Sequence, residues 1–378
     1  QEAGMAGNML VIPKNAYNLV NREELLVLDD ILLNNNGQLV PFGEDHANFA
    51  IMGRFGNVML TNGEPSYDLE VKKGEVVRFY ITNVANVRPF NFNIPGVQMK
   101  LVGGDLGQFE KEEFVEEIII APAVRYIVDV YFKESGTYNL MNTNPHKSYT
   151  LGTITVAQEV AQDSYADSFF NDRVNQKIID DIAQFEKYFD KPIDYELELT
   201  VDLGSLLDIM AALPCHVMGG IVMGDCTDEE RTELEKEAEH EEFTIEWEDE
   251  MNLKASASDV DWIIKDKATG KQNMDIAMES NVGEIVKIRL FNNPESDHPM
   301  QHPIHLHGQR FIVTSIDGET IKNKAWTDTI LVPIGSTVDI LIDVTNPGEW
   351  MMHCHIAEHL EAGMMTSFTV EGENEDYI

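Results

Sequence analysis

Hydrophobic and polar positions alternate in short runs along most of the chain, and the hydrophobic positions are rich in Val, Ile, Tyr and Phe. Gly, Pro and Asn separate these runs at short intervals. Such a rhythm is typical of short strands joined by tight turns, as in a β-sandwich. The clearest predicted strands lie at residues 24–33, 76–82, 116–132, 285–291 and 336–344.

The strand pattern contains an internal repeat. The motif Gly-Glu-Val-Val-Arg at 74–78 returns as Gly-Glu-Ile-Val-Lys at 283–287. Further segments match in the same order along the chain, 122–129 with 333–339 and 136–138 with 348–350. A repeat of this length predicts two sandwiches built on one plan.

The two copies differ where their side chains could carry chemistry. Residues 88–93, Arg-Pro-Phe-Asn-Phe-Asn, align with residues 302–307, His-Pro-Ile-His-Leu-His. Later in the repeat, Asn142 stands where the second copy has Cys354. Metal ligands are therefore expected in the second copy, and the first copy is expected to be free of metal.

Six of the eleven histidines lie in two short segments of the second copy. Consecutive side chains of a strand point to opposite faces of its sheet. His353 and His355 should therefore share one face, while Cys354 points to the other. The same alternation places His305 and His307 together. One strand is thus expected to serve two metal sites.

On the side of Cys354, the sequence offers a thiolate, two imidazoles and a thioether, from Cys354, His302, His359 and Met364. Two histidines and a cysteine with a long axial methionine suit a blue copper ion. The four other imidazoles can hold further copper. For a single His-x-His pair, a solvated loop or satisfied buried histidines would be the simpler interpretation. The matched spacing of all eight residues favours metal.

These residues carry a family resemblance. Residues 353–364 resemble the C-terminal copper signature of the multicopper oxidases, His-Cys-His-x3-His-x3-Gly-Met, without a mismatch, and residues 302–308 resemble its usual partner, His-Pro-x-His-x-His-Gly. The resemblance implies an all-β fold of two cupredoxin-type Greek-key β-sandwiches, to which this sequence adds a partly helical linker and insertion. Carried over by position, the ligands are His302, Cys354, His359 and Met364 for type 1 copper, His305 for type 2, and His307, His353 and His355 for type 3.

The function that the resemblance implies is that of a laccase-like oxidase. A type 1 copper would take single electrons from phenolic, aryl-amine or metal-ion donors. Cys354 would pass them to its neighbours His353 and His355, and a trinuclear copper cluster would reduce O2 to water. His359 and Cys354, as type 1 ligands, would stand at the start of this path. Family members of this kind are periplasmic or extracellular, which is therefore the expected location.

The repeat also predicts the domain organisation. The expected segments are the tail of an upstream cupredoxin domain (1–18), a copper-free cupredoxin domain (19–158), a linker with a helix (159–192), a copper-binding cupredoxin domain (193–372, with a helical insertion at about 204–241) and an acidic tail (373–378). The first segment is inferred from Glu-Ala-Gly-Met at 2–5, which mirrors the same residues at 361–364.

The trinuclear cluster would be incomplete in this sequence. The resemblance implies eight histidines around that cluster, and this sequence supplies four of them. The others are expected from an N-terminal cupredoxin fragment or subunit. Two alternatives stay open. One is a blue-copper electron-transfer or copper-binding protein with no complete cluster, and the other is a scaffold subunit that docks a separate N-terminal domain.

Charge excludes some classes of partner. The formal net charge of −39 would repel nucleic acids and anionic membranes. No apolar run approaches the length of about 18 residues that crosses a bilayer. The acidity is expected to serve solubility, with attraction of cationic substrates or metal ions as the alternative.

The insertion contains a second, weaker candidate site. Its soft side chains, Cys215, Met218, Met223 and Cys226, could bind Cu(I). A disulfide or an ordinary amphipathic helix is the alternative interpretation of the same stretch. His146, near the position that corresponds to His359, is expected to be a surface or loop histidine because Asn142 replaces the cysteine.

Overall fold

The computed structural model describes residues 4–11, 17–212, 214–218, 221–238, 244–249 and 253–372. Its contacts divide the chain into two compact units. Unit 1 comprises Gln1–Val40, Phe55–Lys187 and Lys322–Thr327, and unit 2 comprises Pro41–Arg54, Tyr188–Ile321 and Asp328–Ile378. Within the described ranges, no helix combines the length and the hydropathy that a membrane crossing needs.

Unit 1 consists mainly of two sheets. Its strands are β1 (Arg22–Ile31), β2 (Val58–Thr61), β3 (Tyr67–Lys73), β4 (Val76–Asn83), β5 (Phe90–Asn93), β6 (Gln98–Gly104), β7 (Gly107–Val115), β8 (Glu117–Ile120), β9 (Arg125–Tyr131), β10 (Gly136–Thr143) and β11 (Ser148–Val160). One sheet has the order β2-β1-β4-β9-β6-β7, and the other has the order β3-β11-β10-β5-β8. The short helices α1 (Ala166–Phe170) and α2 (Gln176–Ala183) follow.

Unit 2 repeats this plan. In chain order, the elements after the linker are β12 (Tyr195–Asp202), α3 (Leu206–Ala211), β13 (His216–Met218), β14 (Ile221–Met223), α4 (Asp228–Ala238), β15 (Asp261–Asp266), β16 (Ala277–Asn281), β17 (Ile285–Asn292), β18 (His302–Leu306), β19 (Arg310–Ile316), β20 (Glu319–Thr320), β21 (Trp326–Thr327), β22 (Thr329–Val332), β23 (Thr337–Asp343), β24 (Gly348–Cys354), α5 (Ala357–Glu361) and β25 (Met365–Glu371). All of them belong to unit 2 except β21, which lies in the 322–327 segment of unit 1.

The two units share one topology. The order β15-β12-β17-β23-β19-β20 in unit 2 corresponds to β2-β1-β4-β9-β6-β7, and β16-β25-β24-β18-β22 corresponds to β3-β11-β10-β5-β8. The repeated motif has the same role in both, because Gly74 and Gly283 take left-handed φ values of 85° and 89° in the turns before β4 and β17. Glycine adopts such angles at no steric cost. The predicted all-β fold of two related sandwiches is confirmed.

Alternation along the strands forms the cores. In β1, Leu26 and Leu28 are fully buried while Leu25 is exposed. In β23, Ile340, Leu341 and Ile342 are all buried, as expected for a central strand covered on both faces. The strands β24 and β18, which carry most of the candidate ligands, lie side by side inside the second sheet of unit 2, between β25 and β22.

Short helices and a hairpin lie in the segments predicted as the linker and the insertion. Helix α2 lies in the predicted linker, and Thr227 caps α4 through its Oγ1, which accepts from the Glu230 N–H at 3.3 Å. The alternative interpretation of an amphipathic helix between the two cysteines is wrong, because β13 and β14 form a hairpin there. The predicted acidic tail at 373–378 and positions 1–3 and 12–16 of the predicted upstream tail lie outside the described residues. The remaining domain boundaries stay predictions.

Candidate metal centre

Two neighbouring strands of unit 2 carry most of the candidate ligands. β18 and β24 are antiparallel, with Ile304 opposite Cys354 and His305 opposite His353. Directly opposed residues of such a pair point to the same face of the sheet. His305 and His353 therefore lie together on one face, and Cys354 points to the other, as the sequence alternation predicts.

On the Cys354 face, three donor atoms converge. The Sγ of Cys354 is 3.6 Å from His302 Nδ1 and 3.8 Å from His359 Nδ1. All three donor atoms lie within 4.8 Å of one another, and the side chains are at most 1% exposed. Two imidazoles and a thiol that are buried and this close together fit a copper ion of the blue type.

The chain between Cys354 and β25 closes this pocket. His359 lies on the short helix α5, and Gly363 then takes a φ of 110° that turns the chain back. The Met364 N–H donates to the His359 carbonyl at 2.9 Å, and the Cys354 N–H donates to the Met364 carbonyl at 3.1 Å. Met364 is fully buried. The predicted axial residue thus lies beside the three convergent ligands.

Burial sets the protonation of these groups. It lowers the pKa of His302 to about 3 and that of His359 well below the usual range. Both imidazoles are therefore neutral near pH 7, which is the form that binds metal. Burial also raises the pKa of the Cys354 thiol. Metal binding at this pocket must consequently displace the thiol proton.

A second cluster of four imidazoles lies on the other face. The ring centroids of His305 are 4.8, 5.6 and 6.0 Å from those of His307, His353 and His355. The Nε2 atoms of His307 and His353 are 3.0 Å apart. A neutral imidazole carries one ring proton, so these two nitrogens can share a hydrogen bond, and the same separation also suits two nitrogen ligands of a metal centre. The predicted group is therefore brought together in space.

Neighbouring groups orient these imidazoles. His305 Nδ1 lies 2.9 Å from both the Asp328 carbonyl and Thr329 Oγ1. Its Nε2 is therefore the nitrogen that can bind a metal. His353 Nδ1 lies 2.8 Å from the Cys354 carbonyl. Contacts of this kind fix the tautomer and direction of metal-binding histidines. Cys354 thus contributes its Sγ to the first cluster and its main-chain carbonyl to the second.

Desolvation also favours the neutral form of three histidines in this second cluster, His307, His353 and His355. It lowers the pKa values of His353 and His355 to about 4, while partial desolvation and the neighbouring His305 lower the pKa of the more exposed His307. The buried Nδ1 of His355 has no hydrogen-bond partner in the described part of the chain. An unsatisfied buried nitrogen is costly in the absence of a ligand. The cluster therefore fits metal better than a plain protein interior.

Trp262 is a neighbour of the first cluster that sequence reasoning missed. Its ring stacks on His359 with centroids 3.8 Å apart and planes 23° apart. It meets His302 edge to face at 5.1 Å. Trp262 lies on β15, about a hundred positions before His359, and no local motif marks it.

Unit 1 replaces the ligands with a polar network. At the place of His302, Arg88 Nε donates to Asp30 Oδ2 at 2.6 Å. The Asn91 N–H donates to Asn142 Oδ1 at 2.9 Å, where Asn142 stands in place of the cysteine. Among the described residues, the copper-type donor set therefore occurs in unit 2. His146 is exposed in its loop, as predicted.

The Cu(I) candidate in the insertion needs correction. A disulfide joins Cys215 to Cys226, so neither sulfur is available as a thiolate ligand. The bond lies across the ends of the β13–β14 hairpin, which carries Met218 and Met223 on its two strands. The disulfide alternative thus holds in the structure, and two thioethers alone do not make the predicted set.

Gly308, directly after the His305/His307 segment, offers a test of the packing there. Its φ is 65°, and an added Cβ would overlap the Trp350 indole ring. We expect Gly308→Ala to lower the free energy of unfolding by about 2 to 3 kcal/mol in a denaturant titration. Gly318→Ala is the matched control, with a φ of 81° and open space around the Cβ. It should cost only about 1 kcal/mol, and equal losses in both variants would contradict the packing argument.

Sequence models of the multicopper oxidases match residues 19–161 and 244–374. A laccase of Cryphonectria parasitica is 29% identical over 143 residues, which are 31% of this chain and 24% of that protein. The multicopper oxidase mco of Staphylococcus epidermidis is 35% identical over 99 residues, 26% of this chain and 22% of that protein. The matched part is thus about a quarter of the length of these relatives.

Solved structures agree over nearly the whole chain. A multicopper oxidase from Campylobacter jejuni, described as a metallo-oxidase, has a TM-score of 0.62 and 21% identity, and the match covers 93% of this chain and 64% of that one. McoA from Aquifex aeolicus has a TM-score of 0.60 and 20% identity, covering 93% and 66%. This chain therefore spans slightly less than two thirds of their length. With its two sandwiches matched by the family's own sequence models, the chain belongs to the multicopper oxidases.

Proposed function

We propose that this chain is the type 1 copper part of a laccase-like multicopper oxidase. It would couple one-electron oxidation of phenolic, aryl-amine or metal-ion donors to the reduction of O2 to water. The observation that carries this proposal is the convergence of Cys354, His302 and His359 within 4.8 Å on one face of β24, with His353 on the other face.

Each site residue then has a role. Copper, when bound, supplies one-electron transfer at the first cluster and O2 reduction at the second. The proposed ligands are His302, Cys354, His359 and Met364 at type 1, His305 at type 2, and His307, His353 and His355 at type 3. Cys354 and its two neighbours form a covalent path between the clusters. Asp328 and Thr329 hold His305 in the orientation that leaves its Nε2 free.

The four imidazoles of the second cluster require partners. We infer that an N-terminal cupredoxin fragment or subunit supplies the remaining histidines of the trinuclear cluster. Support comes from the solved relatives, which are longer than this chain, and from the exposed part of the cluster, since His307 is not buried. Oxidase activity is proposed to depend on those histidines.

A blue-copper electron carrier is the second candidate function. It is favoured by one observation, that the whole type 1 set lies within unit 2 and needs no further chain. Both functions fit a periplasmic or extracellular location, which the Cys215–Cys226 disulfide supports because such bonds persist in oxidising compartments.

Copper counting separates the two functions. The chain is loaded with copper, bound copper is measured per chain, and O2 consumption is followed with a phenolic donor. About four coppers with turnover is the result expected of an oxidase with a complete cluster, whereas about one copper, blue absorption and no turnover supports the carrier. Addition of an N-terminal cupredoxin fragment should convert the second result into the first. Loading without blue absorption would contradict both functions.

A further inference from the structure

Trp262 packs against both histidines of the first cluster. Its indole is fully buried and lies nearly parallel to the His359 ring, with centroids 3.8 Å apart and planes 23° apart. The same indole meets the ring of His302 edge to face at 5.1 Å. The indole Nε1 donates to the Ala50 carbonyl at 2.7 Å. The orientation of the indole beside the two histidines is therefore fixed by the protein itself.

The main chain of Trp262 holds the turn that follows α5 and leads to Met364. Its N–H donates to the Ala362 carbonyl at 3.0 Å, and its carbonyl accepts from Asn273 Nδ2 at 3.1 Å. A Cβ at Gly363 would lie 3.2 Å from the Trp262 carbonyl oxygen and 2.9 Å from the Asn273 amide nitrogen, so the turn is packed tightly against β15. Trp262 thus contacts a ligand ring through its side chain and, through its main chain, the turn that carries the predicted axial ligand.

The close stack suits an imidazole that carries positive charge. The face of an aromatic ring is electron-rich, so two neutral rings prefer an offset or edge-to-face contact over a direct face-to-face arrangement. A cation is instead attracted to the face of an indole, within about 6 Å of its centroid. His359 acquires positive charge when it binds a metal ion through Nδ1, the nitrogen that faces Cys354 Sγ at 3.8 Å. That charge is larger with Cu(II) than with Cu(I).

We propose that Trp262 is a positioning residue of the type 1 site and that its indole face stabilises the oxidised state of that site. The proposal rests on the proposed function and concerns the reduction potential of its copper. Trp262 holds the His359 ring in the orientation in which Nδ1 faces Cys354. Its electron-rich face favours the more positively charged imidazole, which is the one bound to Cu(II). Loss of the indole therefore weakens Cu(II) binding more than Cu(I) binding and raises the reduction potential.

The reduction potential tests this proposal on the copper-loaded chain under anaerobic conditions. Ferrocyanide gives one electron to the oxidised copper and becomes ferricyanide, and the blue absorption measures the equilibrium. Trp262→Leu removes the aromatic face but keeps an apolar side chain, so it should shift the equilibrium about five- to tenfold toward reduced copper. A tenfold shift corresponds to about 59 mV for one electron. Trp262→Phe keeps a weaker aromatic face and should shift the equilibrium about threefold in the same direction.

Trp326→Leu is the matched control. Trp326 is 5% exposed, its Nε1 donates to Asp181 Oδ2 at 2.7 Å, and its ring meets Phe185 edge to face at 5.1 Å. It lies in unit 1, whereas the ligands of the first cluster lie in unit 2. The control loses a buried, hydrogen-bonded indole and should leave the equilibrium within about 1.5-fold of the wild type. Chelator competition for Cu(I) and Cu(II) adds a further distinction, because a purely structural role of Trp262 would weaken both affinities equally.

The stack itself is tested on the metal-free protein by NMR with labelled histidine. Ring protons that lie over the face of an indole are shielded, so the His359 signals should appear upfield of those of His46, whose side chain is 54% exposed. Loss of the signals in His359→Asn assigns them. Trp262→Leu should move the His359 signals downfield, and Trp326→Leu should leave them in place. A His359 signal that Trp262→Leu does not move would overturn the proposal without reference to copper.

The outcomes separate this proposal from the proposed function. Absence of blue absorption in the wild-type chain would defeat both. Blue absorption with the same potential in Trp262→Leu and Trp326→Leu, or with a lower potential in Trp262→Leu, would defeat the role of Trp262 alone. If Trp262→Leu fails to bind copper, the potential of Trp262→Phe against that of Trp326→Leu decides the same question.

Discussion

Replacing Cys354 with serine is expected to abolish the blue absorption of the copper-loaded protein completely. The absorption requires a thiolate bonded to copper, and Cys354 supplies the sulfur that lies within 4.8 Å of both His302 and His359 donor atoms. Serine is of similar size and can hydrogen-bond to the same imidazoles, so the fold should persist. The measurement is visible absorption and bound copper at equal protein concentration, with circular dichroism to verify folding.

The matched control removes the other two sulfurs. The double variant Cys215→Ser with Cys226→Ser breaks the only disulfide among the described residues and leaves Cys354 in place. It should keep its blue absorption. Colour in the Cys354 variant, or its loss in the double variant with native circular dichroism, would contradict the assignment of the sulfur ligand.

A large effect on stability is expected from Arg88→Met in unit 1. Arg88 is 1% exposed and donates to Asp30 Oδ2 at 2.6 Å and to the Gly56 carbonyl at 2.8 Å. Its removal leaves a buried carboxylate without its cation, which should lower the free energy of unfolding by about 3 to 5 kcal/mol. Chemical denaturation followed by circular dichroism measures this loss.

Two further variants identify the cause of that loss. Arg22→Met removes an arginine whose side chain is 39% exposed and whose ion pairs are 3.6 and 4.0 Å long, so it should cost less than about 1 kcal/mol. Adding Asp30→Asn to Arg88→Met should recover part of the loss, since the uncharged amide still accepts from the Gly56 N–H. A loss in Arg88→Met no larger than that in Arg22→Met would mean that the pair is not a buried support of the fold.

The ligand pairs were predictable because strand alternation is a local property. A period of two residues separates Cys354 from His353 and His355 in any strand, whatever the tertiary structure. The repeat was predictable for a similar reason, since Gly74 and Gly283 mark the same turn before the same strand in each copy. Both inferences need only neighbouring residues.

Contacts between distant segments carried no such signal. Nothing in the sequence relates Ile51 to His359, which lie 308 positions apart, or Trp262 to Ala50, which lie 212 positions apart. The Asp30–Arg88 pair also lacked a local signal. The alignment of the two copies shows only that Arg88 replaces a histidine ligand, and it does not indicate which residue Arg88 contacts. The β13–β14 hairpin between Cys215 and Cys226 was also missed, because its strands have three residues each, too few to show a period.

X-ray absorption at the copper edge tests the central claim, the split of one strand between two sites, most directly. The chain is loaded with one copper equivalent and compared with the Cys354→Ser variant. We predict a first shell of one short sulfur and two nitrogen neighbours in the wild type, from Cys354, His302 and His359, and loss of the short sulfur in the variant. A wild-type first shell of nitrogen and oxygen alone would contradict the account.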